Sequence, residues 1–542
     1  MSNFLEYNGL TFTLLLLSVA LSVAPALGGK FASKIPKSSF LFVCILALFV
    51  IWGRWQITTS ALATDWDEAQ FIVSAWAAAE DPVFFKVTDC GSSGPLNIWP
   101  LLWSYLAGEA PSQFSSRLLA SLFMAGIAVL VFATAQFLIG HQSLARAAAI
   151  PVAAVFALNR AATFGQYNSE IPSLFYIMLG LASAAYILTK CPVRWVWLAA
   201  SLGGAALSMC VLAKLQSVPM ALVAGCAVLA ATFYRMRGMN SVPLYATILL
   251  ASSAIPVLFG GFMLWGGEWE YFWQAYVLSA ISYRNVPGEA TGAMWGILWR
   301  DKILCFYVVG ATIFALSSGA ICAIKKTANR RDWVIFLFGV GFCVVGLWTS
   351  ISPNKIYAHY LLYLVVPFAI LSIAALALHS GSVANRLWMF FVLALIPILV
   401  GFRDVRWAQE RLPRTEAAQK ILSVILAGAP SNDDKISVWG YAPDIYLVAG
   451  RKSGTRIATT AFFFLDIPGR DIYLDRYISD LLEHKPKVFL DISPVQSKER
   501  NFRYLRSFKD IPEVARVISE NYTYSGTYSG ADIYLLKEGE GQ

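Results

Sequence analysis

The sequence predicts a polytopic α-helical membrane protein of about twelve transmembrane helices, followed by a small extracytoplasmic α/β domain. The chain of 542 residues is 57% hydrophobic and only 14% charged, with a mean hydropathy of +0.59, whereas soluble proteins carry roughly 25% charged residues. Its apolar residues occur in charge-free runs of about 20, the length that crosses a bilayer. After residue 402 charged residues become frequent and no run is long enough to cross.

Apolar length and basic flanking residues predict the same topology. Lys or Arg follows each odd-numbered apolar run, so the positive-inside rule places those exits in the cytoplasm. The two termini and the loops 59–114, 266–302 and 352–358 then lie on the opposite face. The net charge of +9 is explained by this topology, and no nucleic-acid partner is expected. The predicted spans are 10–28, 39–58, 115–139, 147–163, 171–189, 195–213, 216–234, 242–265, 303–323, 333–351, 359–378 and 387–402.

The region after residue 402 has the pattern of a small α/β domain. Short apolar runs at 435–440, 455–460 and 487–493 predict buried strands. The stretches 404–427, 466–483 and 510–520 have helical spacing. We therefore expect a transmembrane domain over residues 1–402, with external loops 59–114 and 266–302, and an extracytoplasmic α/β domain over 403–542.

Three acidic residues open the first external loop. Asp65, Asp67 and Glu68 follow an apolar run directly, and carboxylates at a bilayer edge are costly unless they are hydrated or functional. One of them could act as the base that takes a proton from an acceptor hydroxyl, as sugar transfer from a phosphate-linked donor requires. Asp67 and Glu68 are neighbours, so on a helix they point in different directions. The alternative is a solvated helix start, where acidic residues suit the dipole.

A metal site is a second interpretation of the same stretch. Asp65 and Asp67 form an Asp-Trp-Asp string that could hold a divalent ion against a phosphate. Such short strings are common by chance, so no cofactor is firmly predicted. The eight cysteines show no CxxC or Cys/His spacing, and neither a zinc site nor a disulfide is indicated.

Cations on the same predicted face are candidates for holding the donor phosphate. Lys214 is the strongest, because it is the only charged residue between Trp195 and Tyr234 and lies where positive charge is not favoured. The alternative is a lysine whose ammonium group extends to the lipid headgroups. His359 and Tyr360 open a later span and could also contact phosphate, although a single histidine at a helix start is more often structural. The weaker candidates are Arg160, Lys86, Arg284 and Lys355.

Two further segments combine structural and functional interpretations. Gln166, Asn168 and Glu170 lie between two spans, and we expect them to cap the next helix rather than to bind a sugar. The aromatic-rich loop 266–302 predicts an interfacial helix that could also serve as a lid over a lipid-linked donor.

Several motifs resemble the GT-C superfamily of membrane glycosyltransferases. DEAQF at 67–71 and GPLNIWPLLW at 94–103 resemble its first external loop, and IYAHYLLYLVVPFAIL at 356–371 resembles a late His-Tyr helix. Lys214 falls at the position of a phosphate-binding lysine, and 436–456 resembles the extracytoplasmic domain. The most similar branch holds lipid A aminoarabinose transferases, protein O-mannosyltransferases and rhizobial core galacturonosyltransferases.

The resemblance implies an inverting transfer from a polyprenyl-phosphate sugar donor to an envelope glycan, lipid or protein, at the periplasmic face of a bacterial inner membrane. It implies Asp67 as the base, Glu68 as its support and Asp65 as less important. Many members carry a lysine before a Pro-Pro turn, where this chain has Ser93 and Gly94. Lys86 or Arg160 would then take that role, or the donor is held differently.

Two other functions are compatible with a polytopic chain. A transporter or flippase of a lipid-linked substrate would be expected to show internal repeats and ionisable residues near the membrane midplane. No repeat is visible, and the notable charges lie at span ends. An assembly subunit without activity would not need both Asp67 and Lys214.

Overall fold

The computed structural model describes residues 2–27, 38–60, 65–237, 242–283, 292–326, 328–355, 357–378, 386–387, 390, 416–498 and 503–537. The chain divides into two compact units. The first comprises Met1–Ser60, Arg117–Val257 and Gly288–Gln409, and the second comprises Ala61–Ser116, Leu258–Pro287 and Glu410–Gln542. The predicted domain boundary at residue 402 lies outside the described residues and stays a prediction.

The first unit is helical. Two of its helices, Gln113–Ile139 and Val242–Trp265, run across the division between the units. Short 3₁₀ segments at Val193–Trp195, Leu215–Ser217 and Ala358–Leu364 open the helices that follow them. The remaining helices are Ser2–Leu27, Ser39–Thr59, Gln142–Leu158, Ala162–Gly165, Glu170–Thr189, Val196–Ala213, Val218–Arg235, Gly292–Arg300, Lys302–Lys325, Arg330–Ile351 and Val365–Leu378.

Nine helices among the described residues are long and apolar enough to cross a membrane, and each coincides with a predicted span. They confirm a polytopic α-helical membrane protein. The helix Ser2–Leu27 covers the first predicted span, although the apolar part found in it, Gly9–Val23, is shorter than a span. The last predicted span, 387–402, lies almost entirely outside the described residues.

The predicted span 147–163 corresponds to a helix of 17 residues, Gln142–Leu158, which is at the short end of the length that crosses a bilayer. Every residue from Ser143 to Leu158 is buried, as expected for a helix that is apolar on all sides. It packs against Ser2–Leu27 and Ser39–Thr59. Gly53 allows Ser39–Thr59 to pack closely against this helix, because a Cβ at position 53 would lie only 2.6 Å from the Cβ of Ala157.

The second unit combines short helices with one sheet. A π-helix, Phe272–Leu278, lies between the short helices Trp269–Tyr271 and Ser279–Ser282 in the predicted lid loop. The α-helices elsewhere in the unit are Trp66–Ala78, which we call the acidic helix, Trp103–Leu106, Glu416–Gly428, Asp444–Ala449, Arg470–His484, Ser493–Gln496 and Pro512–Asn521. The 3₁₀ segments are Pro95–Asn97, Trp99–Leu102, Ala461–Phe464 and Phe508–Asp510.

The sheet has five strands in the order β2-β1-β3-β5-β4. They are β1 (Lys435–Trp439), β2 (Lys452–Ser453), β3 (Val488–Asp491), β4 (Tyr522–Tyr528) and β5 (Ala531–Leu536). β1 pairs in parallel with β2 and β3, whereas β5 pairs antiparallel with β3 and β4. All four residues of β3 are buried, as its central place requires. The predicted C-terminal α/β domain is therefore present.

The sequence misplaced one strand and missed two. β2 lies at Lys452–Ser453, and the predicted strand 455–460 forms only a single bridge, between Ile457 and Asp89. Arg456 explains the difference, because its backbone N–H donates to Asp480 and its carbonyl accepts from Asp89, which leaves the segment outside the sheet ladder. The missed strands β4 and β5 form a hairpin.

Candidate active site

The acidic helix begins with a side-chain cap. Asp65 has an extended backbone, with φ −65° and ψ 150°, and its carboxylate accepts the N–H of Asp67 at 3.0 Å. Aspartate is a preferred residue at this position. Asp67 and Glu68 follow in the first turn, where the helix dipole stabilises negative charge. The observed contact of Asp65 is therefore structural.

Asp67 is half-buried and has a specific hydrogen-bond donor. The hydroxyl of Tyr441 donates to Asp67 Oδ1 at 2.5 Å, and the ring of Trp66 packs edge-on against Tyr441 with 5.8 Å between centroids. Gln496 fixes Tyr441 in turn, since its side chain accepts the Tyr441 N–H and donates to the Tyr441 carbonyl, both at 2.7 Å. The carboxylate of Asp67 is thus oriented by a side chain 374 residues away.

Glu68 points elsewhere, as expected for its neighbour position. Its side chain is fully buried and its Oε1 accepts a hydrogen bond from Ser116 Oγ at 2.9 Å. This contact ties the acidic helix to the start of the helix Gln113–Ile139. Glu68 therefore supports the position of the helix rather than offering an exposed carboxylate.

Lys86 pairs within its own loop. Its ammonium group lies 2.5 Å from Asp81 Oδ2, and 53% of its side chain is exposed. The hydrogen bond from Lys86 lowers the pKa of Asp81. Since exposed ion pairs contribute little, Lys86 can exchange Asp81 for another anion at small cost.

The sequence did not single out Asp89, whose side chain is fully buried in this unit. It accepts the N–H of Gly91 at 2.6 Å and the hydroxyl of Tyr271 at 2.5 Å. Burial raises the pKa of Asp89 to about 6. Arg476 lies over the Tyr271 ring at 3.8 Å and pairs with Glu268 at 2.5 Å. The Gly/Ser/Pro turn after Asp89 was the only local signal.

In the first unit, Lys214 lies in a buried ionic cluster. Its ammonium group is 2.7 Å from Glu170 Oε1 and donates to Ser169 Oγ at 2.7 Å. Only 6% of the Lys214 side chain and none of the Glu170 side chain is exposed. Burial of this pair excludes the interpretation of Lys214 as a lysine extended to the headgroups.

His359 and Tyr360 belong to the same cluster. His359 Nε2 lies 4.0 Å from Glu170 Oε1, and Lys214 Nζ lies 5.3 Å from the centroid of the Tyr360 ring. The rings of Tyr357 and His359 stack at 5.4 Å, and Tyr360 packs edge-on against His359. Three of the predicted phosphate-binding residues are therefore brought together around Glu170.

The expectation that Gln166, Asn168 and Glu170 cap a helix was wrong. The helix Glu170–Thr189 begins after Ser169 without a side-chain cap, and Glu170 faces Lys214 because a buried carboxylate needs a cation more than the helix needs a cap. The amide of Asn168 instead donates to the carbonyl of Thr163 at 2.7 Å.

Two of the weaker candidates, Arg160 and Arg284, stay predictions for the phosphate. Arg160 lies just beyond the helix Gln142–Leu158, and its guanidinium donates to the Ala157 carbonyl at 3.3 Å. Arg284 lies outside the described residues.

The metal interpretation finds no support in the geometry. Within the described ranges no three His, Cys, Asp or Glu side chains are placed to hold one ion. Asp65 is used as a helix cap and Asp67 accepts from Tyr441. The metal interpretation stays a prediction, and no step is assigned to a metal.

Comparisons of sequence give no relative, since neither a family model nor a curated protein matches the chain. Comparison of structures does find similar proteins. ArnT from Cupriavidus metallidurans, solved with bound undecaprenyl phosphate, is 11% identical with a TM-score of 0.51, and the match covers 91% of this chain and 97% of that one. The oligosaccharyltransferase of Archaeoglobus fulgidus is 12% identical with a TM-score of 0.48, over 92% of this chain and 73% of that one. The match to ArnT covers nearly the whole of both chains, and this chain therefore shares its fold, the GT-C fold.

Proposed function

We propose that the chain is an inverting glycosyltransferase that moves a sugar from a polyprenyl-phosphate donor to a hydroxyl group of an envelope glycan, lipid or protein. The observation that supports this most is the half-buried carboxylate of Asp67, oriented by Tyr441 at 2.5 Å, in a chain with the GT-C fold. ArnT, which shares that fold, was solved with undecaprenyl phosphate, a lipid phosphate of the proposed donor class.

The proposed reaction is a single displacement with Asp67 as general base. The acceptor oxygen forms a bond to the anomeric carbon while the bond from that carbon to the phosphate oxygen breaks. The hydroxyl proton passes to Asp67, and the polyprenyl phosphate leaves with the bonding electrons. The phosphate needs no proton, only nearby positive charge. Tyr441 holds the carboxylate in one orientation, which favours proton transfer.

We assign Lys214 to the leaving phosphate. Two of its three N–H groups are bound by Glu170 and Ser169, so the third can contact a phosphate oxygen. Glu170 offsets the charge of Lys214, and His359, 4.0 Å from the same carboxyl oxygen, would restore positive charge when protonated. Tyr360 beside Lys214 would support this group, and Arg160 and Arg284 remain weaker candidates.

The proposed site is the periplasmic face of a bacterial inner membrane. The support is the alternation of basic residues after odd-numbered spans. The partners of the chain are then the bilayer, the lipid-linked donor and the acceptor.

The decisive experiment is transfer by the purified full chain in nanodiscs. Mass spectrometry of surface glycans from a deletion strain first identifies the missing sugar, which is then supplied on polyprenyl phosphate. Asp67→Asn is expected to lower transfer by about 10²–10⁴-fold, the usual contribution of a general base. Asp475→Asn, at an exposed acid of the same unit, is the matched control.

Two results would overturn the proposal. One is transfer at the wild-type rate in Asp67→Asn. The other, measured with the wild-type chain in proteoliposomes, is labelled sugar that crosses the bilayer but stays attached to its lipid, which is the behaviour of a flippase.

A further inference from the structure

The second unit contains a cavity that the proposed chemistry does not use. Its volume is about 280 Å³, near the lower limit of the roughly 300–1,000 Å³ of small-molecule pockets. This volume suits one sugar residue better than a lipid chain. Its wall includes Ser74 and Trp76 of the acidic helix, and Lys435 and Lys452 at the start of β1 and β2. We call it the Lys435 cavity.

Three cationic side chains in the wall of this cavity differ in how they are paired. Lys435 and Lys452 are register partners on neighbouring parallel strands, and adjacent like charges repel. Lys452 is paired with Glu80, whose hydrogen bond raises the pKa of Lys452. Arg456, also in the wall, is held by Asp480 at 2.6 Å. Lys435, however, has no ion-pair partner in the described part of the chain, so an anion in the cavity would relieve the repulsion.

The wall of the cavity also offers acceptors for hydroxyl groups. Glu80 and Glu483 line the cavity together with His484. His484 Nδ1 lies 2.8 Å from the carbonyl of Gly454. Because a carbonyl oxygen only accepts, Nδ1 carries the hydrogen in this contact, and Nε2 can accept a hydrogen bond from a hydroxyl group. A bare phosphate or sulfate would meet two carboxylates here. A ligand with both hydroxyl donors and one negative charge would satisfy both the acceptors and Lys435.

An apolar wall completes the site. Trp76 is half-buried, and its position is fixed by a hydrogen bond from its indole N–H to the carbonyl of Pro111 at 2.8 Å. Val73, Ala77 and Ala458 lie beside it. Pockets for small ligands commonly combine such apolar surface with a few polar groups.

We propose that the Lys435 cavity binds an anionic sugar residue through Lys435, Glu483 and His484. Ser74 lies seven positions after Asp67, about 10 Å along the helix at 1.5 Å per residue. The anionic residue would then belong to the acceptor glycan and hold it beside the acidic helix. This assignment to the acceptor rests on the proposed glycosyl transfer, whereas the binding site itself does not.

The test is a titration of the purified full chain in nanodiscs with D-glucuronate, followed by ligand-observed saturation-transfer NMR. D-glucose is the neutral control, and inorganic phosphate is the anion without hydroxyl-rich structure. Glucuronate is expected to bind at least about tenfold more tightly than either, since one charge-assisted hydrogen bond contributes roughly this factor. Added salt should weaken binding, because the lysine is only half-buried.

Substitutions assign the effect to the cavity. Lys435→Gln should weaken glucuronate binding about tenfold, and Lys435→Arg should retain most of it. Lys420→Gln, at an exposed lysine outside the cavity, should bind as the wild type does. Equal binding of glucose and glucuronate, equal binding of phosphate, or unchanged binding in Lys435→Gln would each overturn the proposal. Because no transfer is measured, this outcome is independent of the Asp67 experiment.

Discussion

The buried pair of Lys214 and Glu170 predicts a large loss of stability when only one partner is removed. Lys214→Met keeps the apolar stem but removes the ammonium group 2.7 Å from Glu170 Oε1. Glu170, with none of its side chain exposed, would keep an uncompensated charge or take up a proton. Breaking a buried pair in this way costs about 3–5 kcal/mol. The hydrogen bond to Ser169 adds about 1 kcal/mol.

A second substitution separates stability from function. Lys214→Met with Glu170→Gln removes both charges and leaves a neutral side chain of similar size. Much of the lost stability should return, with a coupling free energy up to about 3 kcal/mol in a double-mutant cycle. A raised donor KM that persists in the stable double variant would assign Lys214 to the phosphate. A normal KM would assign it a structural role.

The assay is denaturant unfolding in detergent, with donor kinetics on the same preparations. Lys190→Met, at an exposed lysine that ends the helix opened by Glu170, should change the free energy of unfolding by no more than about 0.5 kcal/mol. If Lys214→Met is as stable as this control, the reasoning from burial is refuted.

Three further perturbations test the acidic helix and its surroundings. Tyr441→Phe removes the hydroxyl that donates to Asp67 at 2.5 Å and should lower kcat about tenfold or more. Tyr524→Phe, at an exposed tyrosine, is the control and should leave kcat unchanged. Equal kcat values in the two variants would show that the Tyr441 contact does not support catalysis. Burial raises the pKa of Asp89 from 3.8 to about 6, so the folded state holds a proton that the unfolded state has lost. The free energy of unfolding should therefore fall by up to about 3 kcal/mol as pH rises from about 4 to 6. Asp89→Asn should make the free energy of unfolding depend less on pH over this range. Asp65→Ser keeps a helix cap and should keep transfer activity, whereas Asp65→Ala should lower the free energy of unfolding by about 1 kcal/mol. Loss of transfer in a stably folded Asp65→Ser would indicate that Asp65 acts as a base or a metal ligand.

The transmembrane architecture could be predicted because each span carries its own signal. An apolar run of sufficient length is a local property, and nine predicted spans are helices in the structure. The helix Gln142–Leu158 is shorter, with 17 residues, and is buried along its length. Its assignment as a span therefore stays a prediction, because its length is at the lower limit for crossing a bilayer.

The sheet was only partly predictable. β1 and β3 are apolar runs and were recognised, whereas β2 has two polar residues and only its pairing defines it. The hairpin of β4 and β5 did leave a signal. Ser529 and Gly530 both have positive φ, 53° and 86°, which is the backbone of a type I′ turn and is favoured by Ser-Gly and Asn-Gly pairs.

The partners of the site residues were beyond the sequence. Asp67 could be singled out from its place after an apolar run. Tyr441 is 374 residues away, and its sequence context indicates the C-terminal domain but not a contact with Asp67. Glu170 was interpreted as a helix cap because its neighbours resemble one. Its actual partner, Lys214, follows another helix. Side-chain pairs between distant elements have no periodic signature, so only the fold reveals them.

The contacts of Asp67 also bear on how the chain is divided. Tyr441 and Gln496, which fix the orientation of the carboxylate, both come from the C-terminal α/β region, and that region shares a compact unit with the acidic helix. A carboxylate needs a defined orientation to act as a base. The C-terminal region therefore completes the environment of the proposed base by supplying Tyr441. A division into a catalytic part and an accessory part at residue 402 would separate the base from the group that orients it.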